Sequence, residues 1–303
     1  TISGTVPTFG SELIFITGNL TAENSLQICF DSTNNKGVVV FKDNADSSDG
    51  KGVVITPGGT LSNLTNFVGI ADAGISTSAT GTVVVQGGTV SDANTILPPV
   101  ISFGSAAVYE SATTTYTAAT FDSNANKVVI AYTDNGNSNY GTAIVGTVSG
   151  TSISYGTPVV FESATSSYIA TTFDSNENKV VIAYRDDANS DYGTAIVGTV
   201  TGGGTNSISF GTPVVFETAN STYNSATFDS DSNKVVISYA DGGNSGHGTA
   251  IVGTVSGTAI SFGTAVVFEA ANSLWVSSAF DSDANKVVIS YQDNGNSNHG
   301  TGI

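Results

Sequence analysis

An internal repeat restricts the possible folds of this chain more than any other feature of its sequence. The phrase Phe-Asp-Ser-x-x-x-Lys-Val-Val-Ile occurs four times, beginning at Phe121, Phe173, Phe228 and Phe280. These copies are 52, 55 and 52 residues apart, and a diverged copy begins at Phe30. Repeats of about 40–50 residues with several short strands are typical of architectures in which each repeat folds into one small β-sheet. The sequence therefore predicts five copies of one all-β unit.

Each copy divides into four strands, separated by short stretches rich in Asn, Asp, Ser and Gly that favour turns. In the second copy we predict strand A at Tyr116–Asp122, strand B at Lys127–Tyr132, strand C at Thr142–Val148 and strand D at Ile153–Phe161. Strand B is a continuous apolar run, as expected for a strand covered on both faces. Pro158 and Pro213 fall in strand D, which favours an unpaired outer edge for it. The predicted fold is an all-β, five-bladed β-propeller of four-stranded antiparallel blades, with strand A innermost.

The last copy lacks strand D, whereas the chain opens with a segment that matches this strand. Thr5–Phe15 aligns with Thr151–Phe161. We therefore expect Thr5–Phe15 to pair with Gly300–Ile303 and to close the propeller as the outermost strand of the last blade. The same pairing between chains would build a homo-oligomeric filament by strand exchange. The sequence does not distinguish these two arrangements.

One segment, residues 64–99, falls outside the repeat. Within it, Asn66–Ala71 and Gly81–Gly88 predict two strands of a small β insertion in the first blade. The predicted parts of the single domain are residues 1–16 as the closing strand, 23–63 with 100–110 as the first blade, 64–99 as its insertion, and 114–162, 166–217, 221–269 and 273–303 as the four further blades.

The charge of the chain excludes several classes of partner. Twenty-five acidic residues against 8 basic ones give a net charge of −17. The clustered Lys and Arg that bind nucleic acid or an anionic membrane surface are therefore not expected. No segment reaches the roughly 20 apolar residues of a membrane span. The single cysteine, Cys29, cannot form an intrachain disulfide, and we expect a buried thiol.

The repeat resembles a known group of proteins. The run Phe-Asp-Ser-x-x-Asn-Lys-Val-Val-Ile, followed by Asn-Ser-x-Tyr-Gly-Thr-Ala-Ile-Val-Gly-Thr-Val-Ser-Gly-Thr, as at residues 121–151, resembles repeat proteins of marine bacteriophages, notably those that infect cyanobacteria. In the insertion, Phe67–Ala73 and Thr80–Val83 are similar to segments of the same phage structural proteins. The resemblance covers most of the chain. It implies a virion structural component, such as a tail fibre or other appendage, that contacts other virion subunits outside the cell and takes part in host attachment.

The predicted turns between strands A and B carry alternating acids and amides. They read Asp122-x-Asn124-x-Asn126, Asp174-x-Asn176-x-Asn178, Asp229-x-Asp231-x-Asn233 and Asp281-x-Asp283-x-Asn285. This spacing imitates the start of a calcium-binding loop, but the Gly at the sixth position and the distal Glu are missing, and Lys occupies the sixth position. Asp and Asn also form turns by bonding their own backbone. We favour the turn interpretation, with weak calcium binding as the alternative.

A second recurring set joins an acidic residue with an aromatic one. A glutamate ends each strand D, and an aromatic residue follows it six positions later at the start of strand A. The pairs are Glu110 and Tyr116, Glu162 and Tyr168, Glu217 and Tyr223, and Glu269 and Trp275. In a four-stranded meander, the D–A connections share one face with the B–C loops, which carry Asp134, Asp186, Asp241 and Asp293. The eight residues of these pairs are the predicted ligand-binding set, because aromatic rings cover the apolar faces of sugars and carboxylates bind their hydroxyls. The alternative is that the aromatic rings wedge between blades.

Catalysis is not expected. A glycosidase needs two carboxylates in different environments, whereas the glutamates recur nearly identically around the ring. His247 and His299 occupy positions that Tyr140 and Tyr192 hold in other copies, which favours packing over metal binding. We therefore predict a non-enzymatic protein without a cofactor or a metal site, and first of all a virion appendage. The alternative is a secreted polyvalent glycan-binding lectin or filament-forming adhesin, and the third hypothesis is a five-bladed glycosidase.

Overall fold

A computed structural model describes residues 26–34, 36–43, 49–56, 70–71, 83–84, 102–201 and 206–303. Most of these residues lie in strands. The helices in these ranges are single 3-10 turns, at Asn135–Asn137, Gly242–Asn244 and Asn294–Asn296. Within the same ranges, no helix has the length and apolar character needed to cross a membrane.

The strands of these ranges follow one another with short connections. They are Leu26–Asp31 (β1), Lys36–Asp43 (β2), Asp49–Thr56 (β3), Ile70–Ala71 (β4), Val83–Val84 (β5), Ser102–Phe103 (β6), Ala107–Asp122 (β7), Lys127–Asp134 (β8), Tyr140–Ser149 (β9), Ser152–Tyr155 (β10), Val159–Asp174 (β11), Lys179–Asp186 (β12), Tyr192–Thr201 (β13), Ser207–Phe210 (β14), Val214–Asp229 (β15), Lys234–Asp241 (β16), His247–Ser256 (β17), Ala259–Phe262 (β18), Val266–Asp281 (β19), Lys286–Asp293 (β20) and His299–Gly302 (β21).

The repeat folds into consecutive antiparallel sheets, which we number as units. Unit 2 consists of the second half of β7, then β8, β9, β10 and the first half of β11. Units 3 and 4 repeat this pattern, from β11 to β15 and from β15 to β19. Unit 1 contains β1, β2, β3, β6 and the first half of β7, and unit 5 contains the second half of β19, β20 and β21. The all-β class and the antiparallel meander are therefore confirmed.

The sequence analysis separates strands D and A, but the structure joins them. Each of β7, β11, β15 and β19 is a continuous strand of 16 residues. The first half of β11 pairs with β9 of unit 2, where Val159 lies opposite Ala143, and its second half pairs with β12 of unit 3, where Ala170 lies opposite Ala183. Composition suggests a turn between the two halves because Ser, Ala and Thr fill it. The segment stays extended because its backbone groups bond to two sheets in succession.

Strand D is interrupted instead. In unit 2 it is divided between β10, which ends at Tyr155, and β11, which begins at Val159. Pro158 lies in this interruption, and Pro213 lies in the corresponding gap between β14 and β15. The prediction that both prolines lie within a strand is therefore wrong. A residue without an N–H occupies the point at which the hydrogen-bonded ladder is already broken.

Consecutive units bury their apolar side chains against each other. Val128, Val129 and Ile130 of β8 are all fully buried, since alternate residues point to unit 1 and to unit 3. This confirms for unit 2, the unit from which it was predicted, that strand B is covered on both faces, whereas in unit 5 Val288 of β20 is 48% exposed. The first strands of adjacent units pack side by side, as β7 does with β11. The expectation that strand A is the innermost strand of a closed propeller stays a prediction.

One contact recurs wherever two of these units meet, and we call it the Phe-Glu–Tyr contact. In units 2 and 3, the Phe161 ring lies 5.2 Å from the ring of Tyr184, whose hydroxyl donates a hydrogen bond to Glu162 at 3.0 Å. The corresponding residues are Phe216, Glu217 and Tyr239 at the next junction, Phe268, Glu269 and Tyr291 after it, and Tyr109, Glu110 and Tyr132 at the first one.

The turns between strands A and B have a simple local cause. Oδ1 of Asp122 accepts hydrogen bonds from the backbone N–H groups of Asn124 and Ala125, at 2.9 and 2.8 Å. The same pair of bonds recurs at Asp31, Asp174, Asp229 and Asp281. These bonds are the ones that the turn interpretation requires.

Two predictions concern segments that lie mostly or wholly outside the described residues. β4 pairs with β5, with Ile70 opposite Val84, inside the two segments for which the sequence predicts strands of the insertion. The other residues of 64–99 lie outside the described residues. The closing strand Thr5–Phe15 also lies outside them, so its pairing with unit 5 stays a prediction.

The Phe-Glu–Tyr contact explains a recurring glycine, which gives a direct test. A Cβ atom at Gly193 would lie 2.5 Å from the Phe216 ring. We expect Gly193→Ala to displace that ring and to lower the free energy of unfolding by about 1–3 kcal/mol, measured by urea denaturation. The control adds Gly193→Ala to Phe216→Leu: the ring that meets the added Cβ is then absent, so the loss relative to Phe216→Leu alone should be smaller. Equal losses in the two backgrounds would contradict this account.

Candidate functional site

Four aromatic side chains form a row across units 2 to 5, and we call it the aromatic row. Its members are Tyr116, Tyr168, Tyr223 and Trp275. The ring centroids of successive members lie 5.0, 5.2 and 4.9 Å apart. The three tyrosines are half-buried, whereas Trp275 is 52% exposed. The structure therefore brings the four predicted aromatic residues together, and each ring contacts the ring of the next unit.

The backbone at the aromatic row is unusual. Tyr116, Tyr168, Tyr223 and Trp275 have φ values of 48°, 49°, 53° and 54°. Bulky L-residues avoid this left-handed region at a cost of about 1–2 kcal/mol each. In each long strand, the register shifts at this residue, as between Ser167 and Ala170 of β11. The aromatic residue thus lies at a β-bulge, where the strand passes from one unit into the next. The bulge directs the aromatic ring toward the rings of the neighbouring units.

The aromatic row borders a cavity of about 160 Å³. Besides the four aromatic residues, its walls contain the residue that follows each of them. These residues are Thr117, Ile169, Asn224 and Val276. Pockets that enclose drug-sized ligands measure about 300–1,000 Å³. This cavity therefore has room for one small ring or the end of a longer ligand.

The four predicted glutamates are not free to face a ligand with both oxygens. One carboxylate oxygen of each accepts the tyrosine hydrogen bond of the Phe-Glu–Tyr contact, at 2.9 to 3.2 Å. At Glu110 the other oxygen accepts from the backbone N–H of Ala112 at 2.9 Å. The glutamates therefore join neighbouring units, a role that the sequence analysis does not anticipate because the tyrosine lies 22 residues away in the next unit.

Burial sets the protonation of this contact. Burial is the main cause that raises the pKa of Tyr132, Tyr184 and Tyr239, and the nearby glutamate raises it further. The same two causes raise the pKa of Tyr291 to about 12. These hydroxyls therefore keep their protons and act as donors. Burial also raises the pKa of Glu162 and Glu217, against the opposing effect of the tyrosine hydrogen bond.

Among units 2 to 5, a charged cluster lies beside the aromatic row in unit 3 alone. The Arg185 guanidinium lies 5.0 Å from the centre of the Tyr168 ring. Its Nε donates to Asp187 at 2.7 Å and lies 3.7 Å from Asp191, and one terminal nitrogen donates to Asn220 of unit 4 at 3.3 Å. Burial by itself lowers the pKa of Arg185, but the bond and charge of Asp187 outweigh this and raise it.

The sequence analysis misses this cluster, although composition contains a signal. Arg185 is the only arginine in the chain; the corresponding residues are uncharged in units 2, 4 and 5, namely Thr133, Ala240 and Gln292, and unit 1 has Lys42 at this position. The two aspartates also replace uncharged residues: Asn135, Gly242 and Asn294 correspond to Asp187, and Asn139, Gly246 and Asn298 correspond to Asp191. Three charged replacements in one unit distinguish the junction of units 3 and 4 from the others.

The loops beside the row have structural roles. Asp134, Asp241 and Asp293 each cap a 3-10 turn by accepting from the N–H three residues later. Asp186 accepts the same bond from Asn189 at 3.2 Å. His247 and His299 begin β17 and β21. Within the described ranges, no group of three or more His, Cys, Asp and Glu side chains could hold a metal ion.

Comparison with known proteins gives little support for a function. No family model and no curated protein matches the chain. Among solved structures, it is similar to AofleA from Arthrobotrys oligospora, with a TM-score of 0.46 and 9% identity. The match covers 89% of this chain and 64% of that one, which is less than two thirds of its length. A function must therefore be inferred from the geometry of the site.

The left-handed backbone of the aromatic row predicts that glycine is a less destabilising substitution there than alanine, which is the reverse of the usual order in a strand. Glycine normally destabilises a strand relative to alanine, but at a φ of 53° it removes steric strain. We expect Tyr223→Gly to be more stable than Tyr223→Ala by about 1 kcal/mol in urea denaturation. At Thr227 of the same strand, where φ is not positive, alanine should be the more stable substitution. The same order at both positions would contradict the bulge.

The raised pKa values of Glu162 and Glu217 predict how stability depends on pH. An acid with a raised pKa in the folded state binds its proton more tightly there than in the unfolded state. Its contribution to the free energy of unfolding is therefore present at low pH and is lost as the pH rises through the folded-state pKa. The double variant Glu162→Gln, Glu217→Gln keeps an oxygen for each tyrosine hydroxyl. We expect its urea midpoint to fall less than that of the unmodified protein between about pH 4 and pH 8. A fall as large in the double variant as in the unmodified protein would contradict this account.

Proposed function

We propose that this chain is a carbohydrate-binding protein whose site is the aromatic row, carried on five units that close into a β-propeller. Four aromatic side chains with a half-exposed surface around one cavity are the observation that carries this proposal. Their electron-rich faces attract the weakly positive C–H groups of a sugar ring. The strained backbone at all four positions supports it further, because such strain clusters at ligand sites.

The charge of the protein favours an uncharged ligand. With a net charge of −17, the chain repels sialylated, sulfated and uronate-containing glycans. Asp187 and Asp191 add two negative charges near Tyr168, against the single positive charge of Arg185. We therefore propose neutral glycans as the ligand class, and the small cavity favours recognition of a terminal sugar.

The Arg185 cluster supplies polar groups next to this surface. The side chains of Arg185 and Asp187 are 19% and 23% exposed, so each presents some polar surface to solvent. A guanidinium donates to sugar oxygens and a carboxylate accepts from sugar hydroxyls. A ligand that covers Tyr168 would have both within reach.

The proposal excludes neither attachment to a host nor a place on a virion. The virion role implied by the phage resemblance stays a prediction, whereas glycan binding is proposed from the aromatic row and not from that resemblance. We propose binding without catalysis, since each of the four glutamates accepts the same tyrosine hydrogen bond from the next unit, so that no two of them differ in role. A glycosidase needs two carboxylates in unlike environments.

The test is a glycan array followed by calorimetric titration of the best neutral ligand. We expect Trp275→Ala to weaken binding at least about tenfold, equivalent to about 1.4 kcal/mol, because its ring is exposed and ends the row. The melting temperature should change little. Tyr192→Ala is the matched control, a half-buried aromatic residue at the start of β13 that is not part of the row. Array binding of acidic glycans alone, unchanged binding by Trp275→Ala, or release of free sugar would contradict the proposal.

A further inference from the structure

The walls of the cavity beside the aromatic row change in character from unit to unit. The residue that follows the aromatic one is aliphatic in units 3 and 5, where it is Ile169 and Val276, and polar in units 2 and 4, where it is Thr117 and Asn224. Ile169 and Val276 are 7% and 8% exposed, so each packs against its own unit and leaves only a small apolar surface in the cavity. The cavity therefore combines aromatic rings, two aliphatic side chains and two polar ones.

The Thr117 hydroxyl already has a partner in the protein. Its oxygen lies 3.2 Å from the hydroxyl oxygen of Tyr109, and Thr117 is 1% exposed. Tyr109 is itself 5% exposed and belongs to the core between units 1 and 2. Of the two polar wall residues, Asn224 is therefore the one with a polar group to offer a ligand.

Two hydrogen bonds fix the orientation of the Asn224 amide. Its Oδ1 accepts from the Ser221 hydroxyl at 2.6 Å, and its Nδ2 donates to the backbone carbonyl of Tyr168 in unit 3 at 3.1 Å. A primary amide has two N–H groups and two oxygen lone pairs, and a carbonyl oxygen can only accept. Among the described residues, the two bonds use one donor and one acceptor. One further donor and one further acceptor of a held amide therefore remain at the wall of the cavity.

We infer that this cavity takes the acetamido group of an N-acetylated neutral sugar, and that Asn224 is the residue that determines this specificity. The inference rests on the proposed function, because it assigns a class of sugar to the same site. An acetamido group has one N–H donor, one carbonyl acceptor and one methyl group. Asn224 supplies the matching acceptor and donor, while Ile169 and Val276 supply an apolar surface for the methyl group.

A sugar with a hydroxyl in place of the acetamido group fits this cavity less well. The hydroxyl can bond to Asn224, but the space beside Ile169 and Val276 stays without an apolar group. Water in that space finds no partner on the two aliphatic side chains. One carbon more or less in an apolar pocket changes affinity by about 10–200-fold. We therefore expect a preference of at least about tenfold for the N-acetylated sugar.

Two pairs of methyl glycosides test the class of ligand on the unmodified protein. One pair is glucose and N-acetylglucosamine, the other is galactose and N-acetylgalactosamine, and the members of each pair differ only in the group at C2. In calorimetric titration, the N-acetylated member of at least one pair should bind at least about tenfold more tightly than its partner. Equal affinities within both pairs, a preference for the hydroxyl, or no binding of any of the four overturns the inference. The glycan array decides the proposed function separately, since neutral glycans without acetamido groups count there as well.

Asn224→Val tests the role of the residue itself. The acetamido group then loses two hydrogen bonds and the hydroxyl loses one, so the affinity ratio within the preferred pair should fall by about threefold to tenfold. Asn206→Val is the matched control. Away from the row, Asn206 Oδ1 accepts from the Thr147 hydroxyl at 2.8 Å and its Nδ2 donates to the backbone carbonyl of Ser154 at 3.5 Å. This variant loses the same two kinds of bond and should keep the ratio unchanged. An unchanged ratio in Asn224→Val, or an equal fall in Asn206→Val, overturns the assignment of Asn224.

Discussion

The structure depends on one interaction between neighbouring units, in which a tyrosine of strand B packs on the phenylalanine of the preceding strand D and donates to the glutamate beside it. The rings lie 5.2 Å apart at the junction of Phe161 and Tyr184, and the hydroxyl oxygen lies 3.0 Å from the carboxylate. A single sheet of this kind buries one face at most, so each unit needs its neighbours for a core. Because phenylalanine and glutamate are adjacent in sequence, the aromatic contact and the hydrogen bond form together and fix the position of one unit on the next.

This constraint also determines where the aromatic row lies. Glu162 must end one unit, and Ser166, four residues later, already begins the next by pairing with Asp186 of β12. The strand changes sheets within this short segment through a residue with a φ of 49°. An aromatic side chain at that bulge points to the same residue of the neighbouring unit, and the centroids of successive rings lie within 5.2 Å of each other. The candidate site is thus formed by the same bends that connect the units.

Much of this could be predicted from the sequence, because the repeat has a strict spacing. The number of units, the strands B and C and the aspartate turns such as Asp122 follow from local patterns, and so does the proximity of the four aromatic residues. The continuity of strands D and A could not be predicted, since Ser163 and Ala164 resemble a turn until their partners in two sheets are known. The role of the glutamates depends on a tyrosine from another unit, which no local pattern identifies. Arg185 could have been found by comparing corresponding positions of the copies and looking for the residues that differ, because these differences carry more information about a site than the shared residues do.

The fluorescence of Trp275 tests the central claim most directly, because it is the only tryptophan in the chain and lies at the end of the aromatic row. Its emission should change saturably when a neutral oligosaccharide that binds the protein is titrated, with a midpoint equal to the calorimetric Kd. Acidic oligosaccharides of the same length should leave the emission unchanged. A neutral glycan that binds by calorimetry without any change in Trp275 emission would place the site elsewhere and contradict the account.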